Sequence, residues 1–423
     1  MSKKTIISEF FTTVSFPMFL RTLGLLTYKL PVIKYGKNNK KLEAKLALYI
    51  GNQFSEIYSL YNGRSAIFQA LKIIGVKKND EIIVSGYTCV SVSNAVIQSG
   101  AKIIYSDINK KNLGFDLNEL QKNITSNTKV IIVQHTFGKP SNIRKIIKIA
   151  KDRNILVIED CAHSLGSKIN GRKLGSFGDF SIFSTGRDKV ISGITGGFLL
   201  INNKNYFQAS KKMMGKLKMP SLFLIIRNLQ YNIVAYKAYK MYDFFKLGKI
   251  IIFISRKLNI ITEILSAKEK ECNFKDFYYK LPNSLAFLAY IELKQLKFVI
   301  NHRRSIAEYY EEKLDNKYFN IIFKKGKNEK NNYFRYPILA KSEHEAKYIY
   351  EYMRLNNILL GISWTQTNIV PKGTNLKNAK YKVGSCPVAE DISKRILILP
   401  NHHFVSPNDA KKIVQLLNNF KKS

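Results

Sequence analysis

D-C-A-H-S-L-G-S-K-I-N-G-R-K-L-G-S-F-G-D-F-S-I-F-S-T-G-R-D-K-V-I-S-G-I-T-G-G, residues 160–197, is the stretch on which the reading of this chain turns. It follows an apolar run at 155–158 that reads as a buried parallel strand, so Asp160 falls at the carboxyl end of a strand. Ligands collect at that end in open α/β sheets. A second apolar run, 180–183, leads into Ser184, and Lys189 comes five residues after that serine. Gly196 and Gly197 then open a further strand over 198–201. An acid at one strand end and a lysine just past another can share one pocket.

Pyridoxal phosphate chemistry needs such a pair. A lysine amine condenses with the cofactor aldehyde, and a carboxylate keeps the pyridine nitrogen protonated, so that the ring withdraws electrons. The segment carries Glu159-Asp160-Cys161-Ala162-His163, the G-S-F-G-D run at 175–179, Phe183-Ser184, Lys189 and Gly196-Gly197, in that order. In these residues the chain resembles the DegT/DnrJ family of fold-type I nucleotide-sugar aminotransferases. The usual family pattern runs E-D-A-A-Q/H, G-S-F-G-D, F-S-F-x-x-x-K and Gly-Gly. The resemblance implies that Lys189 carries pyridoxal 5'-phosphate and that Asp160 faces the pyridine nitrogen. It places His163 near the cofactor's phenolic oxygen or against Asp160, and makes Ser184 a phosphate ligand. Without the neighbouring motifs Lys189 would read as a solvated loop lysine. Gly186-Arg187-Asp188-Lys189 departs from the family's commoner Y-P-T-K, and the Gly-Gly pair comes one residue early.

Upstream, Ile67, Ala70, Leu71 and Ile74 recur at helical spacing, so Gly63, Arg64 and Ser65 open a helix. A helix start offers free N–H groups and a positive dipole end to a phosphate. The family's G-T-x-A segment, matched by Gly63-Arg64-Ser65-Ala66, implies that use of the backbone amides; alone, the pattern is also an ordinary N-cap. The turn Ser85-Gly-Tyr87-Thr-Cys89-Val-Ser-Val-Ser-Asn94-Ala resembles P-S-F-T-F-V-A-T-x-N-A, whose second aromatic stacks on the cofactor ring. Cys89 stands in its place, which leaves Tyr87 or the sulfur itself to cover the ring. His135-Thr-Phe-Gly138 matches a family H-x-x-G segment and implies a substrate-side His135, with a structural histidine as the other reading. Leu281-Pro-Asn283 opens a segment resembling the long helix of the small domain. Counted back from Gln295-Leu296, Leu281 stands where the family has its partner-subunit Asn and Asn283 where it has Arg. Asn283 is therefore the candidate substrate contact, acting across a homodimer. Cys386-Pro-Val-Ala-Glu390 and Leu399-Pro400-Asn-His402 resemble P-x-A-E and L-P-x-H. Adjacent His402 and His403 without further ligands do not make a metal site, and no metal is expected.

Short apolar runs at 81–85, 102–107 and 129–134 alternate with helical patterns at 90–99 and 139–152, a βαβ series around a mainly parallel sheet. The expected fold is α/β: a fold-type I pyridoxal-phosphate-dependent transferase. It has an N-terminal arm at 1–35, a large domain at 36–275 and a smaller α+β domain at 276–423. The chain's 423 residues, 45% of them hydrophobic, suffice for two cores.

Lys and Arg number 69 against 30 Asp and Glu, a formal charge of +39 that calls for an anionic partner: nucleic acid, anionic lipid or a phosphorylated substrate. No helix-turn-helix or zinc-finger pattern is present, so no nucleic acid is expected. Cys89, Cys161, Cys272 and Cys386 form no C-x-x-C, which argues against zinc and disulfides and for a reducing, cytoplasmic compartment. Residues 10–26 are apolar but hold Pro17 and Arg21, too short a run to span a bilayer. They read as a packing arm or as a membrane-surface helix. Residues 204–272 form an insertion rich in apolar and basic side chains, interrupted by Arg227 and Arg256. Helices lying on a membrane surface or a hairpin packed on its own protein both suit it.

The resemblance thus implies amino transfer from an amino acid, glutamate, to a nucleotide-linked keto-sugar for surface-polysaccharide synthesis, by a cytoplasmic homodimer. The insertion adds an expectation of peripheral contact at the inner membrane face. Two alternatives stand beside it. One is other pyridoxal-phosphate sugar chemistry such as dehydration, against which Lys189 speaks, because family dehydratases have histidine there. The other is a non-catalytic, basic nucleic-acid-binding or regulatory protein.

Overall fold

Seven strands form the central sheet of the computed structural model, which describes residues 4–9, 15–27, 32–51, 55–245, 247–315, 317–323, 326 and 328–421. Across the sheet they run 56–60, 197–201, 180–184, 156–160, 128–134, 81–85 and 102–106. All neighbours are parallel except at Gly197–Ile201, which is antiparallel to both strands beside it. Glu81–Ser85 and Gly197–Ile201 are buried along their whole length and Thr128–Gln134 nearly so, as β-branched and apolar runs covered by helices on both faces should be. The mainly parallel sheet and the α/β class therefore stand as expected.

The helix Gly63–Ile74 starts after an extended Asn62, whose side chain accepts the Ser65 N–H, and it stops at Gly75 in the left-handed region (φ 76°). Nine of its twelve residues are buried against the sheet. The long helix Asn283–Lys313 joins two cores. Leu285 through Ile300 pack into the large one, while Ile306, Ala307 and Tyr310 enter a second built from residues of the C-terminal region. The smaller core gathers around a three-stranded antiparallel sheet of Phe319–Ile321, Tyr336–Ala340 and Ile396–Leu399. The N-terminal pair Ile6–Ile7 adds a parallel strand to Ile358–Leu359.

In its described part the arm is a packing element. The helix Phe16–Thr27 buries Met18, Thr22 and Leu25, stacks Phe19 on Tyr236 at 4.9 Å, and accepts a 2.8 Å hydrogen bond from Asn232 at Thr22 Oγ1. Residues 10–14 of the expected apolar stretch lie outside the described residues. The insertion forms the helices Phe207–Gly215, Leu222–Lys240, Leu247–Lys257 and Ala267–Lys270. Ile225 and Leu229 sink into the large core, whereas Phe223, Phe245 and Phe253 stay 69%, 83% and 66% exposed. No described helix is long and apolar enough to cross a membrane.

Candidate active site

Gln134, Asp160 and Ile182 lie in register across three neighbouring parallel strands, which brings their carboxyl ends together. Glu159 and Asp160 alternate across the pleat. Glu159 is fully buried and accepts the N–H groups of Gly175, Phe177 and Gly178, so it builds the loop that the G-S-F-G-D motif describes. Asp160, 5% exposed, receives one hydrogen bond, from Ala162 N–H to Oδ1 at 3.0 Å. Burial pushes its pKa up, against the lowering by that bond and by the Lys189 charge. A carboxylate desolvated with so little compensation fits a cationic partner such as a protonated ring nitrogen.

Lys189 Nζ lies 3.3 Å from His163 Nε2 and 3.7 Å from Asp188 Oδ1. Phe137 N–H points at the other nitrogen of the same imidazole, at 3.4 Å. Burial, then the Lys189 and Arg335 charges, hold the His163 pKa well below its usual value, so the ring is neutral and has one acceptor nitrogen for two donors. Aromatic rings wall it in: Phe334 stacks at 4.5 Å, and Trp364 meets it edge-on at 4.8 Å. His163 therefore contacts Lys189, and no hydrogen bond joins it to Asp160 among the described residues.

The phosphate end is a tight junction between the helix start and Ser184. A Cβ at Gly63 would stand 3.3 Å from Ser184 Cβ, so only glycine leaves that approach unstrained. The Ser65 N–H is already taken by Asn62 Oδ1 at 2.9 Å, which leaves the Gly63 and Arg64 amides for a ligand. Ser65 Oγ is buried and has no partner. An orphaned hydroxyl, two free amides and the Ser184 hydroxyl make a donor set that suits a phosphate. The Arg64 side chain turns away to pair with Glu269, and burial brings its pKa down to about 10.

Three expected contacts need correction. His135 is fully buried, with Nε2 on Glu159 (3.3 Å) and Nδ1 facing Ser141 N–H and Oγ, so it supports the strand ends and has nothing left for a substrate. Asn283 donates Nδ2 to the Val32 carbonyl and accepts Asn38 N–H, tying residues 32–38 to the start of the long helix, so its amide is engaged within its own chain. Tyr87 is fully buried, and its hydroxyl donates to the Trp364 carbonyl, so it packs behind the site rather than reaching over a ring. Cys89 is half-buried, near Arg64, and it remains the candidate at the ring face. Sequence reasoning missed Phe334, Arg335 and Trp364. They lie far along the chain, and no spacing in the sequence ties them to Lys189; that Trp364 is the single tryptophan was the one hint.

The sequence model of the DegT/DnrJ/EryC1/StrS aminotransferase family matches residues 28–222 and 265–418, and skips the middle of the insertion. GDP-perosamine synthase of Escherichia coli O157:H7 is 24% identical over 385 residues, 91% of this chain and 90% of that one. Among solved structures, Helicobacter pylori PseC, an aminotransferase involved in the biosynthesis of pseudoaminic acid, superposes with a TM-score of 0.73 at 20% identity, covering 98% of each chain. The PLP-form of Spr1654 from Streptococcus pneumoniae gives a TM-score of 0.74 at 18% identity, over 99% of this chain and 98% of that one.

Proposed function

This chain belongs to the DegT/DnrJ/EryC1/StrS aminotransferase family of pyridoxal-phosphate-dependent sugar aminotransferases, and on that premise we propose that it moves an amino group from glutamate to a nucleotide-linked keto-sugar for surface-polysaccharide synthesis. The observation that carries the reading is the meeting of Asp160, His163 and Lys189 at adjacent strand ends, opposite a helix start with two free amides. Lysine at 189 favours amino transfer over dehydration.

When bound, pyridoxal 5'-phosphate supplies an aldehyde for a primary amine and a ring that draws electrons from the reacting carbon. The Gly63 and Arg64 amides with the Ser65 and Ser184 hydroxyls would hold its phosphate. Asp160 would hold the proton on its ring nitrogen. Lys189 Nζ would carry the cofactor and, as a free amine, move the proton at the substrate carbon. His163 fixes the position of Nζ, and the Phe334 and Trp364 rings exclude water around it. The test is incubation with nucleotide-linked keto-sugars and glutamate, with the aminated product read by mass. Protein that carries the cofactor on Lys189 yet aminates no keto-sugar would rule out this substrate class.

The same reading makes the enzyme a cytoplasmic homodimer. Exposed Val32 and Tyr35, beside the start of the long helix, support a subunit contact there, and sedimentation equilibrium tests it. Contact with an anionic membrane through the inserted helices is the remaining part of the proposal.

A further inference from the structure

Arg303 and Arg335 stand beside Lys189 with guanidinium nitrogens that nothing in the fold takes up. Arg303 is 1% exposed. Its Nη1 donates to the Phe334 carbonyl (2.7 Å) and to Asn401 Oδ1 (3.2 Å), while Nε and Nη2 have no partner, and it forms no ion pair among the described residues. Arg335 gives Nη1 to Glu9 and Nη2 to Asp188 Oδ2 at 3.5 Å, and its Nε is also unpartnered. Both guanidinium groups and Lys189 Nζ gather on the Phe334 ring, at 5.9, 4.9 and 5.7 Å from its centre. Arg303 and Arg335, with Ser8, Glu9, Asp188 and Phe334, border a cavity of about 10 Å³, room for about one water.

Arg303 is a buried cation with no carboxylate of its own among the described residues: Arg335 takes Glu9 and Asp188, and Lys189 lies against Asp188 and in the field of Asp160. A buried surplus cation is costly, and an anion would relieve it. The planar fork of arginine suits a carboxylate above other anions of similar size. Glu9 shows that a carboxylate fits. It accepts the N–H groups of Ile362 and Ser363, each at 3.0 Å, and the Ser363 hydroxyl at 2.7 Å, as well as Arg335. Among the described residues Glu9 pairs with Arg335 alone, whereas Asp188 is tied to Lys189 as well.

We propose that Arg335 and Arg303 form the seat of the amino donor's carboxylate, and that Glu9 is an internal carboxylate which covers the seat until the donor displaces it. The proposal rests on the amino-transfer reading. It gives a use to the departure at Asp188, which holds Arg335 next to the reacting lysine.

Ser363, which holds Glu9, directly precedes the single tryptophan, so Trp364 fluorescence reports on the seat. Glutarate, a dicarboxylate without an amine, is titrated into the full-length protein, with inorganic phosphate as the control. Glu9→Gln should tighten glutarate binding about tenfold, and Arg335→Ala should weaken it by at least about tenfold, with Arg335→Lys between. In turnover the glutamate KM should move the same way while the keto-sugar KM holds. Unchanged glutarate affinity in Arg335→Ala overturns the proposal, as does phosphate competing as well as glutarate. Should Arg335→Ala not fold, Glu9→Gln decides, and binding no tighter than in the parent rejects the idea. Glutarate binding needs no sugar, so a protein that binds it as expected yet aminates no keto-sugar keeps the seat and loses the substrate reading.

Discussion

Lys189 Nζ has two polar neighbours, His163 and Asp188, and both come from motifs close to it in the chain. If this nitrogen carries the cofactor, borohydride treatment should leave a cofactor adduct on Lys189, found by peptide mass mapping, and Lys189→Ala should lose the visible absorbance. An adduct on any other lysine would reject the assignment. Asp160 gives the second prediction. Removing one partner of a buried ion pair costs about 3–5 kcal/mol. Asp160→Asn should therefore lower kcat by roughly two to four orders of magnitude. The cofactor-free protein should not lose stability. Burial raises the Asp160 pKa, so whatever that carboxyl adds to stability is present below pH 3.8 and lost as pH rises through the folded value. At neutral pH the uncharged amide relieves a cost, and thermal melting of the two proteins checks this. Near-normal turnover in Asp160→Asn would remove Asp160 from the mechanism.

At the scale of elements, one side chain fastens the insertion to the catalytic loop. Arg187, two residues before Lys189, donates to the Thr262 carbonyl and hydroxyl and lies over the Tyr231 ring at 3.7 Å. Arg187→Ala should destabilise the fold by about 1–3 kcal/mol and open 241–262 to limited proteolysis, with a fall in kcat as the 185–196 loop loosens. Unchanged cleavage would mean that the insertion is held elsewhere. The long helix carries a titration of its own. Glu292 is buried without a hydrogen bond among the described residues, and burial pushes its pKa up to about 8, opposed by the Arg21 charge. Its stabilising contribution is complete below pH 4.5 and is lost as pH rises through about 8. Melting temperatures should fall between pH 6 and 9 in the parent, by roughly a few kcal/mol of stability, and stay flatter in Glu292→Gln. The strands, the Gly63 helix and the Asp160–Lys189 segment were legible because their signals are local: apolar runs, turn glycines, fixed spacing. His135 and Asn283 were read toward the substrate because a motif match says nothing about partners such as Glu159 or Val32, which the fold alone brings near. Arg335 and Glu9 were invisible for the same reason; 326 residues separate them.

For the whole molecule, the charge and the inserted helices ask for one explanation. Residues 204–272 hold fourteen Lys and Arg against four Asp and Glu, within a chain of formal charge +39. They leave Phe223, Phe245, Ile250, Phe253 and Leu258 exposed, and the adjoining arm adds Phe16 and Leu20. The rest of the site needs none of these side chains for its chemistry. A buried packing hairpin would have turned them inward, as Ile225 and Leu229 are. Apolar side chains interleaved with lysines on a helix surface match the boundary of an anionic bilayer. Each basic residue near such a surface contributes about 1 kcal/mol, and salt screens the attraction beyond a Debye length of about 10 Å at 0.1 M. Half of the fourteen would hold the protein to the membrane at low salt. Intact protein should float with vesicles containing phosphatidylglycerol at low salt and release at high salt, and a variant lacking 223–264 should stay in solution. Protein that ignores those vesicles at low salt would reject membrane attachment. If the same protein then doubled its mass in a way that Phe253→Asp reverses, the exposed face would be a contact between two copies of the chain.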